Sequence, residues 1–389
     1  MAHLLLFLIY LTFISLGLPD SLLGSAWPVM HQDLKIPVYY AGIITAIICM
    51  FTILASLLSA KLTKKVGTGI VVVFSVFLTA FALLGFSLSN KFYMLIIFAI
   101  PYGFGAGGID AAINNYAALN YKAKHMSWLH AMWGVGTIVG PYAMGYALTN
   151  NLPWNNGYLY ISIIQFSLLV ILIFSLPLWN KGKKEEKQEM KVLSLKEILN
   201  IKGIIILLVV FFSYCALEQT SILWASSYLV ENNNIDVNVA ATLASLFCIG
   251  ITVGRFISGF IAIKLKDKDM IRLGLSVISL GIILLAINIS NITSCIGFVL
   301  IGLGCAPIYP SVIHSTPIYF GKDISQSLIG VQMAGAYIGT LLMPPLFGVI
   351  ADFISVKLLP FYLLIFLMVM FVGHEILLKK LNVVQKNLY

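Results

Sequence analysis

Charged residues are scarce in this chain, and their scarcity decides its class. Of 389 residues, 10% are charged and 60% are hydrophobic, and the mean hydropathy is +0.98. Soluble domains carry roughly 25% charged residues, so a soluble globular protein is excluded. The net charge of +9 then indicates membrane topology and not a nucleic-acid-binding patch, and no nucleic-acid partner is expected.

Cysteine is also rare, and catalytic signatures are missing. The five cysteines form no CxxC pair, which argues against a disulfide framework or a metal cluster. Residues His374–Leu377 spell HEIL and not HExxH, and no Walker sequence or Ser-His-Asp set has a suitable context. We therefore expect no enzyme, no cofactor and no metal site. Without a nucleotide site, any energy must come from an ion gradient.

Long apolar runs are abundant. Roughly 20 apolar residues are needed for a helix to cross a hydrocarbon core of about 30 Å, and lipid-exposed backbone must satisfy its own hydrogen bonds. The sequence predicts an all-α membrane protein with twelve spans, near residues 5–27, 38–60, 68–89, 92–118, 127–149, 157–179, 203–230, 239–262, 271–290, 293–317, 325–350 and 357–379.

Basic residues predict the orientation of these spans. With the amino terminus in the cytoplasm, the outer loops contain only Lys35, Lys91 and Lys357, which leaves 21 of the 24 basic residues on or near the inner side. We expect a multi-pass protein of the plasma (inner) membrane, with both termini in the cytoplasm, that functions as a monomer.

One polar segment divides the chain. Asn180–Lys202 contains seven lysines and four glutamates and is predicted to be a cytoplasmic linker. An amphipathic surface helix after Val192 is compatible with the same role. The predicted domains are therefore two pseudo-symmetric six-helix bundles, at residues 1–179 and 203–389.

Three pairs of segments show that the halves resemble each other. GFGAGGIDAAINNY aligns with GLGCAPIYPSVIHS, which sets Asp110 against Tyr309. GTIVGPYAMG aligns with GTLLMPPLFG, and FISLGLPD aligns with FFSYCALE, which sets Asp20 against Glu218. These matches pair predicted spans 4 and 10, 5 and 11, and 1 and 7.

Six plus six spans around a cytoplasmic linker resemble the major facilitator superfamily, whose transporters are built from repeats. GTIVGPYAMG fits the G-x-x-x-G-P-x-x-x-G pattern of that superfamily's helix 5, and GRFISGFIAIK resembles its helix 8 ending. The signature of loop 2 to 3 is degraded, because SAKLTKKVGTG has Thr63 where the family has Asp. Gating attributed to that Asp is therefore not implied.

Within the superfamily, the chain resembles the fucose:proton symporter and sodium-dependent glucose transporter family. That family has an acid in helix 1 and another in helix 4, and GLPDSLLG and GIDAAINN supply Asp20 and Asp110. ALEQTSILWASSYL resembles its E-x-S-x-x-x-W-x-x-x-Y-L run, with Thr220 for Ser. Asp110 is one methylene shorter than the Glu of the fucose symporter, and His130 and Trp133 replace Gln and Asn. Fucose itself is therefore not implied.

Three carboxylates, Asp20, Asp110 and Glu218, interrupt the apolar runs. A carboxylate at a helix centre costs at least ~2.5 to 3.5 kcal/mol. We predict that these acids couple a cation, with Asp20 or Asp110 binding a proton outside and releasing it inside. Sodium is the alternative, since carboxylates and amides offer oxygen ligands to hard cations. A protonated or hydrogen-bonded acid that only ties helices together is the structural alternative.

The other polar side chains in the spans are mostly uncharged, which favours a neutral polyhydroxylated solute. An anionic solute would need a deep basic residue, and Arg255 is expected near the cytoplasmic end of its helix, paired with a loop acid or lipid headgroups. Each candidate substrate-binding residue has interhelical packing as its alternative role. The candidates are Asn114, Asn115, His130, Trp133, Gln219, Trp224, Tyr309, His314, Gln332 and Tyr337.

The sequence thus predicts an alternating-access importer of a sugar or similar neutral polar solute, driven by cation symport, with the proton favoured over sodium. The helix 5 motif also resembles that of drug:proton antiporters, so export of a drug-like solute is the alternative. A non-transporting solute sensor would need a larger cytoplasmic output domain than Asn180–Lys202.

Overall fold

A computed structural model describes residues 2–37, 39–179, 190–233, 235 and 237–386, and every regular element in those ranges is helical. The predicted all-α class is confirmed. The helices are α1 (Ala2–Asp20), α2 (Leu22–Asp33), α3 (Tyr40–Val66), α4 (Thr68–Ser87), α5 (Phe92–Asn120), α6 (Ala123–Thr149), α7 (Trp154–Trp179), α8 (Leu195–Leu199), α9 (Ile204–Asn233), α10 (Val237–Ile261), α11 (Asp267–Ile287), α12 (Asn291–Phe320), α13 (Ser325–Phe353) and α14 (Leu359–Lys386), with a 3-10 turn at Val356–Leu358.

The long helices coincide with the twelve predicted spans when α1 and α2 are taken as one. Ten of the described spans are long and apolar enough to cross a membrane, and the first of them, His3–Asp33, is interrupted at Ser21. The other two spans are α6, which is more polar, and α10, whose described apolar part is Ser245–Ile261. The break at Ser21 follows Pro19, which has no backbone N–H to donate.

The described chain divides into two compact units. The first unit comprises Met1–Tyr116, Leu129–Val192 and Lys322–Gly330. The second comprises Ala117–Trp128, Leu193–Gly321 and Val331–Tyr389. Each unit therefore includes one short segment from the other half of the sequence. The domain boundaries at residues 179 and 203 stay predictions.

The predicted linker is described only in part, because residues 180–189 lie outside the described residues. Its second part contains the short helix α8, which begins at a capping box. Glu197 accepts hydrogen bonds from the hydroxyl and the backbone N–H of Ser194, both at 2.7 Å. These two donors lower the pKa of Glu197 below its usual value.

Glycines let α6 lie directly against α1 in the first unit. Gly136 meets the backbone carbonyl of Ile14, and Gly17 meets that of Trp133, so a Cβ atom at either glycine would clash with backbone. Small residues permit this close approach of membrane helices. The consequence is that the α6 side chain of Trp133 reaches Asp20 at the end of α1.

Glycines in the aligned halves have equivalent contacts, each within its own unit. Gly103 of α5 meets the carbonyl of Ile48 in α3, and Gly302 of α12 meets the carbonyl of Phe247 in α10. The glycine two residues further on meets α4 in the first unit and α11 in the second. The repeat found in the sequence therefore corresponds to the same packing of helices.

The α1–α6 contact gives a stability prediction. Gly136→Ala places a methyl group on the Ile14 carbonyl, and we expect it to destabilise the protein by about 1–3 kcal/mol, the usual cost of overpacking. Gly145→Ala is the matched control on the same helix, because no atom lies within 4 Å of its added Cβ. Thermal unfolding of the purified protein in detergent measures both, and equal stabilities of the two variants would contradict the packing.

Candidate functional site

Asp20 lies at the break in the first span, near its middle, and both of its carboxylate oxygens accept hydrogen bonds. The Tyr102 hydroxyl donates to Oδ1 at 2.9 Å, and the Trp133 indole N–H donates to Oδ2 at 2.8 Å. Tyr102 comes from α5 and Trp133 from α6, so three helices meet at this acid. Asp20 itself remains exposed, so a group that is held by two donors is also accessible.

Asp110 belongs to a buried cluster on α5 and α6. Asn114, one helical turn further along α5, donates from Nδ2 to Asp110 Oδ1 at 2.7 Å. The Oδ1 of the same amide lies 3.1 Å from His130 Nε2. Asp110 and His130 are each 5% exposed, and Asn114 is fully buried. Fixed hydrogen bonds therefore compensate a carboxylate that has lost its water.

One face of α6 joins the two acids. His130 and Trp133 are three residues apart, which is a rise of about 4.5 Å along a helix. His130 reaches the Asp110 cluster and Trp133 reaches Asp20. The ring of Phe13 from α1 packs edge-on against His130, with centroids 5.4 Å apart. The structure thus brings together five predicted site residues, which are Asp20, Asp110, Asn114, His130 and Trp133.

Asn115 is also buried in the first unit, but it has a different partner. Its Oδ1 accepts a hydrogen bond of 2.7 Å from the Ser325 hydroxyl at the start of α13. The next residue, Gln326, donates to Ser59 Oγ at 3.3 Å and to the Ala111 carbonyl at 3.2 Å. Asn115 therefore fixes the amino-terminal turn of α13 within this unit.

Glu218 forms a buried ion pair in the second unit. Arg255 Nη2 lies 3.3 Å from Glu218 Oε1, and the two side chains are 3% and 8% exposed, respectively. The expectation that Arg255 pairs with a loop acid or lipid headgroups is wrong. The physical reason is that the face of α10 that carries Arg255 packs inward, where a buried cation needs a counter-charge.

Aromatic rings surround this ion pair on the α9 side. Tyr309, the counterpart of Asp110 in the sequence repeat, packs 4.7 Å from Phe211 and 5.8 Å from Tyr214, measured between ring centroids. Tyr214 precedes Glu218 by one helical turn, and Gln219 follows it with part of its side chain exposed. The Tyr309 hydroxyl donates to Met333 Sδ at 3.1 Å. The second unit thus offers an apolar ring surface beside a balanced charge pair.

Four other candidates lie in interhelical contacts or on other parts of the second unit. His314 Nδ1 is 2.7 Å from an oxygen of Asp267, the first residue of α11, and not at the Glu218 pair. The remaining three are on or against α13. Gln332 accepts from Thr316 at 3.0 Å, Trp224 donates to the Pro344 carbonyl at 2.9 Å and packs on Phe347, and Tyr337 is half-buried.

Two partners of the predicted acids, Tyr102 and Arg255, are not among the predicted site residues. Tyr102 precedes Asp110 by eight residues, about two helical turns, so helical spacing is a signal that could have identified it. The pairing of Arg255 with Glu218 has no signal of this kind, because sequence alone does not show which helices pack together. Among the residues that the structure describes, no group of three or more His, Cys, Asp or Glu side chains could hold a metal ion.

Comparisons with known proteins identify the family. The family model described as Major Facilitator Superfamily matches residues 9–228 and 206–385. The chain is 23% identical over 394 residues to "Bypass of stop codon protein 6" of Saccharomyces cerevisiae, covering 90% of this chain and 77% of that protein.

The names of two bacterial relatives describe different activities. The chain is 22% identical to the "Glucose/mannose transporter GlcP" of Bacillus subtilis, over 68% of this chain and 67% of that protein. It is 24% identical to the "Quinolone resistance protein NorA" of Staphylococcus aureus, over 62% of this chain and 63% of that protein.

A solved structure confirms the fold. The E. coli fucose:proton symporter FucP superposes with a TM-score of 0.80 and 14% identity, covering 96% of this chain and 98% of that one. At this sequence identity, the match shows the fold alone. The chain belongs to the Major Facilitator Superfamily: it is a multi-pass membrane transporter with the twelve-helix major facilitator fold, and not an enzyme.

Proposed function

We propose that the protein imports a sugar or a similar neutral polar solute by alternating access, together with a proton. The observation that carries this proposal is the pair of hydrogen-bonded acids, Asp20 and Asp110, that α6 joins through Trp133 and His130. A membrane protein that only needed a packed core would not retain two such costly groups. The similarity to a glucose/mannose transporter supports a sugar as the solute.

Coupling to the proton supplies enough energy for accumulation. One charge that crosses a potential of 100 mV yields about 2.3 kcal/mol, which corresponds to roughly fifty-fold accumulation. In this proposal the coupled proton binds at Asp20 and at the cluster that contains Asp110. Asp20 is exposed and Asp110 is buried, so the two acids offer an accessible and a sequestered position on the same unit.

The role of Glu218 in transport depends on its ion pair with Arg255. A proton on Glu218 would remove the counter-charge of a buried guanidinium, so this acid couples to transport only if Arg255 moves. The ion pair also bears on the substrate. Its net charge is zero, so the buried Arg255 does not by itself demand an anionic solute.

Solute binding needs atoms that the solute can reach. Trp133, Gln219, Tyr309 and Tyr337 are partly exposed in their own units and combine ring faces with polar atoms. We propose these residues as direct contacts. The buried candidates Asn115 and Gln332 would act by holding helices in place, and Trp224 and His314 by their interhelical hydrogen bonds. Asn114 and His130 are buried beside Asp110 and belong to its cluster, not to the direct solute contacts.

We propose the membrane topology that the sequence predicts. We place the protein in the plasma (inner) membrane with both termini in the cytoplasm, and we take the halves 1–179 and 203–389, with the linker 180–202, as the moving parts of a functional monomer. The asymmetry of lysine and arginine between the loops supports this orientation.

Proton-coupled export of a drug-like solute is the second candidate function. The segment GTIVGPYAMG and the similarity to a quinolone resistance protein favour it. The import proposal is preferred because the residues proposed as direct contacts combine ring faces with polar atoms, which suits a hydroxyl-rich solute better than an apolar one. A non-transporting sensor is the third and weakest alternative.

Transport in vesicles tests the proposed function. In proteoliposomes with an inward proton gradient, we expect accumulation of a neutral monosaccharide, with D-glucose and D-mannose as the first probes, and loss of that accumulation when a proton uncoupler is added. Protein-free liposomes are the control. Gradient-driven removal of a fluoroquinolone from preloaded vesicles, without sugar uptake, would replace import by export.

A double-mutant cycle tests the buried ion pair. Glu218→Gln and Arg255→Gln should each destabilise the protein by about 3–5 kcal/mol, because each leaves one buried charge without a partner. The double variant should be more stable than either single variant, since it has no buried charge. Unfolding in detergent measures all three, and strictly additive losses would contradict the pairing.

A further inference from the structure

We propose that Asp110, Asn114 and His130 bind the coupling proton as a single site, and that His130 is the residue that accepts it. This inference rests on the proposed proton-coupled function and names the group at which coupling occurs.

The amide of Asn114 has only one orientation that suits both of its neighbours. Its NH₂ group donates to the Asp110 carboxylate at 2.7 Å, because an ionised carboxylate can only accept. Its oxygen therefore faces His130, 3.1 Å from Nε2, and can only accept. The hydrogen on this side must consequently belong to Nε2 of His130. A second proton on the imidazole would add at Nδ1.

The amide links the two titratable groups electrically. A carboxylate that polarises the NH₂ group of Asn114 makes the amide oxygen a stronger acceptor, and such chains of hydrogen bonds strengthen one another in a low-dielectric interior. A stronger acceptor stabilises a positive charge on the imidazole that donates to it. The Asp110 charge therefore favours a protonated His130 although the two side chains are separated by the amide.

The charge of the cluster gives the reason for proton binding. With a neutral imidazole the buried trio has one net negative charge, and with an imidazolium it has none. Burial penalises a net charge strongly, and a single proton removes it. When two titratable groups interact in this way, they titrate as a coupled pair, and His130 is the member of this pair that takes up the proton. With His130, the site has two titratable groups and not a single carboxylate.

The surroundings of His130 are consistent with this role. From α5 it faces Asp110 through Asn114, and from α1 it meets the ring of Phe13. The other acid of this unit, Asp20, is bound by Trp133, three residues along α6. The basic side chain of Lys124, on the same helix, lies over the ring of Trp128, 5.5 Å from its centroid.

The same donors argue against sodium at this position. A hard cation needs several converging oxygen lone pairs. Here Asp110 Oδ1 accepts from the Asn114 amide, Asn114 Oδ1 faces His130 Nε2, and that ring nitrogen presents a hydrogen and not a lone pair. The chemistry of the trio is therefore that of a proton site.

His130→Gln separates hydrogen bonding from proton binding. A glutamine amide can donate to Asn114 as the imidazole does, but it cannot take up a proton. In proteoliposomes with D-glucose as the probe, we expect counterflow exchange to stay within about twofold of the wild type, while proton-driven accumulation falls from up to about fifty-fold to one. His125→Gln, on the same helix, should retain accumulation. Full accumulation by His130→Gln would overturn the proposal.

A second measurement does not depend on the identity of the solute. Nitrogen-15 NMR of histidine-labelled full-length protein, with His130→Gln used to assign the signal, follows protonation of this imidazole. We expect the Nε2–H tautomer in the neutral state, and a midpoint of protonation that is displaced by Asp110→Asn. A His130 signal with the Nδ1–H tautomer, or one that ignores Asp110→Asn, would contradict the site. If the wild type does not exchange D-glucose, the sugar assignment fails and the NMR result still decides the inference.

Discussion

Hydrogen bonds to two acids inside the membrane helices are the constraint on which the first unit depends. Asp110 needs a donor after it has lost water, and Asn114 supplies it, with His130 beyond. Asp20 takes its donors from α5 and α6. These contacts require α6 to lie close to α1, which explains why glycine and not a larger residue occupies position 136. The close packing of the helices and the hydrogen bonding of the acids therefore depend on each other.

The two units stabilise a buried acid in different ways. Asp110 accepts a hydrogen bond from the neutral amide of Asn114, so the trio of Asp110, Asn114 and His130 keeps a net charge that a proton can remove. Glu218 has Arg255 as a counter-charge, and the pair is neutral without a proton. A solute carrier that couples to protons needs a site of the first kind. The sequence repeat thus conserves the helix packing of the halves, while the residues at the centre of each half have diverged in chemistry.

Much of the first unit's site could be predicted from the sequence, because its residues lie at helical spacing. Asp110 and Asn114 are four residues apart and face the same side, and a charged residue in an apolar run is conspicuous. The partners from other helices could not be predicted in this way. Ser325 reaches Asn115 across 210 positions of sequence, and Arg255 meets Glu218 only because α10 packs on α9. Helical periodicity defines a face of one helix, but it does not identify the helix that this face contacts.

Uptake of a proton together with the solute is the central claim, and the pH of the external medium measures this uptake directly. When a transported sugar is added to lightly buffered proteoliposomes without any imposed gradient, the account predicts that the external medium becomes more alkaline as solute and proton enter together. Asp110→Asn should abolish this signal while the sugar still exchanges. Acidification of the medium, or sugar entry with no change in its pH, would contradict proton symport through this site.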